Sequence, residues 1–147
     1  MRIKKVSQAV ATDYQVNGTY STSQSQAYSC DYVNTIIDSG SNQYGTWIKY
    51  IDGTMICCGK QSYTGARNNA WGSLYATAKI TGASFPVAFT TLKSVNLTAE
   101  VSGTSVWAVS ATLNSNSTLP DCYLVSATST SNSSTYYINY IAIGTWK

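Results

Sequence analysis

The stretch that decides the fold is residues 47–59, which read WIKYIDGTMICCG. Two short apolar runs flank Asp52 and Gly53, and an Asp-Gly pair between such runs is a strong sequence signal for a β-hairpin. A two-residue type I′ turn at this pair fixes the strand register. The predicted cross-strand pairs are Tyr50 with Met55 and Ile48 with Cys57. Residues 47–58 are therefore predicted to form the first hairpin of a sheet.

The alternation of apolar and polar residues continues through the rest of the chain. It is clearest in residues 93–101, where every second residue, Val95, Leu97, Ala99 and Val101, is apolar. Further strand candidates with this period are 73–80, 105–113, 122–127 and 136–143. No window of eleven or more residues here has the apolar period of a helix, so we predict an all-β fold, an antiparallel β-sandwich of about six or seven strands. The predicted core includes Trp47, Trp107, Trp146, Tyr136, Ile138 and Tyr140.

Composition limits the chemistry that this chain of 147 residues can perform. Charged residues make up 10% and histidine is absent, which excludes His-dependent catalytic triads and histidine metal sites. The four cysteines match no zinc motif, and adjacent Cys57 and Cys58 point to opposite faces of a strand, so free thiols are predicted. We therefore predict no metal site and no cofactor.

Residues 1–42 are rich in Ser, Thr and Gln, as in YSTSQSQA at 20–27, and they cannot close a core alone. We predict a connector here, with one or two helical turns in 29–38, followed by a β-sandwich domain at 43–147. Arg2, Lys4 and Lys5 account for the net charge of +3, so no basic face for nucleic acid is expected. No apolar run follows them, which predicts synthesis in a cytoplasm without a signal peptide and no membrane insertion.

Three segments, in this order, resemble the head domain of phage tail fibres. They are the hairpin at 47–59, the Phe-Pro-x-x-Phe corner at 85–89, and the closing strand YIAIGTW at 140–146. Residues 25–34 also resemble the segment that precedes the head in fibres of phages infecting Gram-positive or gut bacteria. One departure is Cys57-Cys58, where that family has a polar residue and then Trp. The resemblance implies a homotrimeric β-sandwich, related in shape to the H-type lectins, that sits at a fibre end and attaches to a host surface.

The resemblance also implies the partners and the place of the protein. We expect a virion protein that contacts its own copies and, through residues 1–42, other virion proteins, and that binds host surface polysaccharide noncovalently. One alternative is a structural capsid or tail decoration protein that binds no receptor. Another is a fragment of a polysaccharide depolymerase, which needs two carboxylates at one bond. Only Glu100 and Asp121 form a conceivable pair, so we predict no enzymatic activity.

The candidate glycan site is a predicted long loop at 61–72, QSYTGARNNAWG, because long loops are often functional. Tyr63 and Trp71 offer flat faces for sugar rings, while Arg67, Asn68 and Asn69 offer hydrogen-bonding groups. Asp121, in a second loop at 114–121, offers a further acceptor. The alternatives are that Trp71 belongs to the core or to a subunit interface, that residues 67–69 form a loop tip without a ligand, and that Asp121 forms a turn after Pro120.

Overall fold

A computed structural model describes residues 35–113 and 115–147, and within them there are eight β-strands and no helix. The strands are β1 (Ile36–Asn42), β2 (Gly45–Tyr50), β3 (Thr54–Trp71), β4 (Leu74–Thr77), β5 (Thr91–Val101), β6 (Trp107–Ser110), β7 (Cys122–Ser126) and β8 (Thr130–Thr145). All of the strand pairings are antiparallel. The all-β antiparallel prediction is confirmed. In this part of the chain no helix has the length and hydrophobicity needed to cross a bilayer.

Hydrogen bonds join the eight strands into one sheet that curls over itself. β8 lies between β3 and β5, and these three are the longest strands. The first half of β3 also pairs with β2, and β2 pairs with β1. The end of β3 pairs with β4, which continues to β7 and β6. β7 packs its Cys122 and Leu124 against Tyr136 and Ile138 of β8, so the β4-β7-β6 part covers the inner face of the long strands.

Two apolar clusters fill the space that the curled sheet encloses. The second cluster lies where Cys122 and Leu124 of β7 pack against β8, and apolar residues of β5 also pack against it. The first cluster is Met55, Cys57, Phe85, Phe89, Leu119, Tyr140 and Ala142. The alternating apolar residues predicted for 93–101 face these clusters, as expected. Tyr136, Ile138 and Tyr140 are buried on one face of β8, which confirms the core prediction for that strand.

The segment between β4 and β5 covers the first cluster without forming a strand. Phe85 and Phe89 meet edge to face with ring centroids 5.1 Å apart, and Phe85 also contacts Tyr140 edge to face at 5.9 Å. The backbone N–H of Phe85 donates to the carbonyl of Ser117 at 2.9 Å, and that of Phe89 donates to Asn116 at 2.8 Å. The Phe-Pro-x-x-Phe corner thus covers the first cluster and buries both of its phenylalanines there.

The first hairpin forms, but its predicted turn is wrong. Gly53 has φ +97° and no other residue of the turn has a positive φ, whereas a type I′ turn needs two such residues. The loop has three residues, 51–53, with the Gly53 N–H donating to the Tyr50 carbonyl at 3.0 Å. The extra residue shifts the register by one. The observed pairs include Lys49 with Met55, Ile48 with Ile56, and Trp47 with Cys57.

Two further predictions are wrong. Ile36–Asn42 is a strand that pairs with β2, so 36–38 are extended rather than helical, and residues 29–34 lie outside the described part. Trp107 is 53% exposed rather than in the core, because it lies opposite Val125 on the outer face of β6. Its neighbours Val106 and Ala108 pack inward instead. The reason is that Trp107 begins a four-residue strand, whose inward face the local pattern does not fix.

The cysteines give a test of the alternation along β3. Cys57 and Cys122 are buried free thiols and Cys58 is an exposed one, so the predicted opposite orientation of Cys57 and Cys58 is confirmed. Burial raises the pKa of the Cys57 and Cys122 thiols to about 11. Because only the thiolate reacts, a rise from 9.0 lowers the thiolate fraction at pH 8 about 100-fold, and burial adds a steric barrier.

We therefore expect Cys58 to react with a maleimide at pH 8 at least about 100-fold faster than Cys57 and Cys122. The measurement is time-resolved alkylation followed by peptide mass spectrometry. A Cys30→Ser variant leaves the three described thiols as the only ones to compare. In denaturant the three rates should converge, and equal rates in the folded protein would contradict the orientation of β3.

Candidate ligand-binding site

The stretch predicted as a recognition loop is the second half of a strand. Residues 61–71 continue β3, which pairs with β8 as far as Arg67. The prediction of a loop was wrong because a polar stretch can form a strand when its partner strand is equally polar. Here the partner is the start of β8, the polar run 130–135. The hydroxyls of Thr64 and Thr135, for example, face each other at 3.2 Å.

An irregularity at Asn68 divides the predicted site residues between two faces. Arg67 lies opposite Thr77, whereas Asn69 lies opposite Ala76, so the register shifts between them. Arg67 therefore points inward, like the buried Thr77, while Asn69 and then Trp71 point outward. An extra residue in one strand reverses which face the following side chains take. Arg67 and Asn69 are two residues apart in sequence but do not share a site.

Asn69 and Trp71 border a shallow pocket on the outer face of the sheet, which we call the Trp71 pocket. Trp71 is 44% exposed, and its ring meets Tyr123 edge to face with the centroids 5.4 Å apart and the planes at 63°. The pocket has a volume of about 500 Å³. It is lined by Asn69, Ala70, Trp71, Ala76, Thr77, Ala78, Lys79 and Tyr123. Small alanines at its floor leave the two aromatic rings standing above the sheet.

Asp121 is connected to this pocket by an ion pair with Lys79, one of the lining residues. Its carboxylate is 3.0 Å from the Lys79 ammonium, and it accepts a hydrogen bond of 3.1 Å from the Gly82 N–H. The Gly82 amide, and after it Lys79, hold the pKa of Asp121 below its ordinary value. The same contact raises the pKa of Lys79. Asp121 thus fixes Lys79 at the pocket edge and ties the start of β7 to the segment at 82.

The remaining predicted site residues do not line the Trp71 pocket. Tyr63 is half-buried and packs on the second core cluster, 6.1 Å from the Tyr136 ring. Asn68 is exposed at the irregularity in β3. The pocket residues that the sequence analysis missed are Tyr123 and Lys79. Tyr123 could have been placed outward, since it alternates with the apolar Cys122 and Leu124 on β7.

Glu100 and Asp121, the conceivable catalytic pair, form ion pairs with two different lysines. Glu100 is 3.4 Å from the Lys60 ammonium and also accepts from the Asn139 amide. Asp121 has Lys79 and Gly82 as its partners. No hydrogen bond or ion pair connects the two carboxylates. Within residues 35–113 and 115–147, no group of three or more Cys, Asp or Glu is arranged to hold a metal ion.

Comparison with solved structures gives the fold a precedent. The chain is similar to a C-terminal fragment of the R1 pyocin fibre of P. aeruginosa, with 17% identity and a TM-score of 0.51 over 86% of this chain. The chain has the fold of a tail-fibre domain. It spans 32% of that fragment and 98% of a second, the N-truncated R1-type pyocin tail fibre, with the same identity and TM-score. No protein-family profile and no curated protein matches the sequence.

Proposed function

We propose that this protein is a virion fibre protein whose β-domain is a receptor-binding head that attaches noncovalently to host cell-surface glycan. The observation that carries the proposal is the exposed Trp71, which stands beside Tyr123 on the outer face of a tail-fibre fold. Carbohydrate sites typically combine an aromatic face for the C–H side of a sugar ring with a few fixed polar groups. The Trp71 pocket has both.

The polar groups at the pocket suit hydroxyls. The amide of Asn69 donates and accepts hydrogen bonds, and the Lys79 ammonium, fixed by Asp121, donates them. The pocket is shallow, so one site is expected to bind a sugar with a Kd on the order of 1 mM. Several identical sites on one particle would raise the avidity by roughly 10²–10⁴ without new contacts.

Because avidity needs several sites on one particle, oligomerisation is part of this proposed function, and we propose a homotrimer. The outer face of β8 carries Ile141 and Ile143, which are 55% and 41% exposed, beside the half-buried Ile56 of β3. A neighbouring copy would remove these isoleucines from water. Residues 1–42, of which Ile36–Asn42 form β1 of the sheet, would then connect the three heads to other virion proteins.

The test uses the purified full chain, labelled with a fluorophore, on a panel of Gram-positive and gut bacterial cells. Cells with intact and with chemically stripped polysaccharide are compared, and light scattering gives the mass on the same sample. We expect strain-specific binding that is lost on stripping, by a protein of three times the chain mass.

Each alternative predicts a different result. A trimer that binds no cell would favour the structural decoration protein, and a monomer at micromolar concentration would contradict the trimer. Release of reducing ends from isolated polysaccharide, abolished by Asp121→Asn or Glu100→Gln, would favour the depolymerase. If the protein is an adhesin that binds through the aromatic pocket, Glu100→Gln should leave cell binding unchanged, and Asp121→Asn should weaken it by releasing Lys79, with no reducing ends formed by the wild type.

A further inference from the structure

A buried arginine lies on the inner side of β3, away from the Trp71 pocket. Arg67 is 1% exposed and is the largest fully buried side chain among the described residues. Its Nε donates to the Thr128 carbonyl at 3.0 Å, and its Nη2 donates to the Thr128 hydroxyl at 3.2 Å. Both partners are neutral, so these bonds do not compensate the charge of the guanidinium.

The described part of the chain supplies no carboxylate to this guanidinium. The four carboxylate side chains of the described residues have other partners: Asp38 with Lys49, Asp52 with Thr54, Glu100 with Lys60, and Asp121 with Lys79. Two buried polar atoms in this part of the chain also have no hydrogen-bond partner, namely Nη1 of Arg67 and the hydroxyl oxygen of Tyr136. A buried charge and buried orphan donors are costly unless something pairs with them.

Both orphan groups belong to residues that line one pocket, which we call the Arg67 pocket. Its volume is about 220 Å³. Its other walls are rich in hydroxyls, including Thr104, Thr128, Thr130 and Ser134. The Arg67 guanidinium carbon lies 5.9 Å from the centroid of the Tyr136 ring, so the two residues are neighbours. A guanidinium, a phenol and several hydroxyls together make a donor-rich site of one positive charge.

We propose that the Arg67 pocket binds an oxyanion, with the Arg67 Nη1 and the Tyr136 hydroxyl as its donors. A guanidinium pairs with planar carboxylates and with tetrahedral oxyanions through parallel N–H bonds. The surrounding hydroxyls can donate further hydrogen bonds to the oxygens of an anion, so the carboxylate of an acidic sugar and a free sulfate are the two sources to distinguish. This inference does not depend on glycan binding at the Trp71 pocket.

Two threonines that line the pocket contact each other. The Thr104 and Thr128 hydroxyls meet at 3.1 Å, and both residues are exposed on the turns that precede β6 and β8. The two orphan atoms are themselves buried. Rotation of the Thr128 side chain would release the Arg67 Nη2, while the Thr128 carbonyl would still hold the Arg67 Nε.

The two arginines of the chain make a site-specific test possible. Only Arg2 and Arg67 contribute arginine Nε–H signals to a ¹⁵N NMR spectrum. The full chain is titrated with glucuronate, with sulfate, and with glucose as the neutral match of glucuronate, at constant ionic strength. We expect the Arg67 signal to shift saturably with an oxyanion and not with glucose. The Arg2 signal reports nonspecific ionic effects.

Variants separate binding from a purely structural role of Arg67. Tyr136→Phe removes a hydroxyl without a protein partner, so the variant should fold with an unchanged or higher Tm and bind the oxyanion about 10-fold more weakly. Arg67→Gln should abolish the response in calorimetry. Lys93→Gln, which removes one exposed positive charge elsewhere, should bind like the wild type. If Arg67→Gln does not fold, the Tyr136→Phe comparison decides.

Each result of the titrations either supports or overturns the oxyanion site. Saturation by glucuronate assigns the pocket to an acidic sugar, and saturation by sulfate alone assigns it to a free anion; both support the oxyanion site. Three results would overturn it: no saturable shift with either anion, an equal response to glucose, or undiminished affinity in Tyr136→Phe.

Discussion

Replacing Phe85 by alanine is expected to lower the free energy of unfolding by about 3–5 kcal/mol. The Phe85 side chain is 4% exposed and makes edge-to-face contacts with both Phe89 and Tyr140. Its loss would leave a cavity between the long strands and the segment that covers them. Backbone hydrogen bonds from Phe85 to Ser117 and from Phe89 to Asn116 hold that segment in place, so it cannot collapse freely into the cavity.

Urea unfolding followed by tryptophan fluorescence measures this change, at one protein concentration because subunit association adds to stability. Leu113→Ala is the matched control, since Leu113 is 93% exposed, and its effect should stay within about 0.5 kcal/mol. A loss below about 1 kcal/mol for Phe85→Ala would show that this corner does not seal the core.

The parts of the fold that were predictable are those set by local pattern. The alternation in 93–101 and in 136–143 identifies β5 and β8 and the inward face of each, because side chains on a strand alternate. The hairpin was placed by its Asp-Gly pair. Its register was not, because the choice between a two-residue and a three-residue loop depends on how β3 pairs with β8 as well as on the turn.

The candidate site was predictable in composition but not in geometry. Asn69 and Trp71 do border a pocket, but their companions Tyr123 and Lys79 reach it through the pairing of β3 with β4 and of β4 with β7. Local sequence does not reveal such long-range pairings. The irregularity at Asn68 is likewise invisible in the sequence, and it is what sends Arg67 inward and separates it from Trp71.

Trp71→Ala is expected to weaken binding of the protein to its host cells by at least about 30-fold. An aromatic residue at the centre of a binding site is a typical hot spot, worth about 2 kcal/mol or more on truncation, and a trimer would lose this contact at every site. Because Trp71 is already 44% exposed, the free energy of unfolding should change by less than about 1 kcal/mol. Flow cytometry of fluorescent protein on cells gives the affinity, and urea unfolding gives the stability.

Trp107→Ala is the matched control for this prediction. Trp107 is 53% exposed and lies on the outer face of β6, in register with Val125, yet it does not line the Trp71 pocket. The substitution therefore removes the same side chain, from a similar degree of exposure, at a position outside the pocket on β6, the strand next to β7. Binding that survives Trp107→Ala but not Trp71→Ala would locate recognition at the pocket. The reverse result would move recognition to β6, and equal losses would indicate that the whole outer aromatic face contacts the glycan.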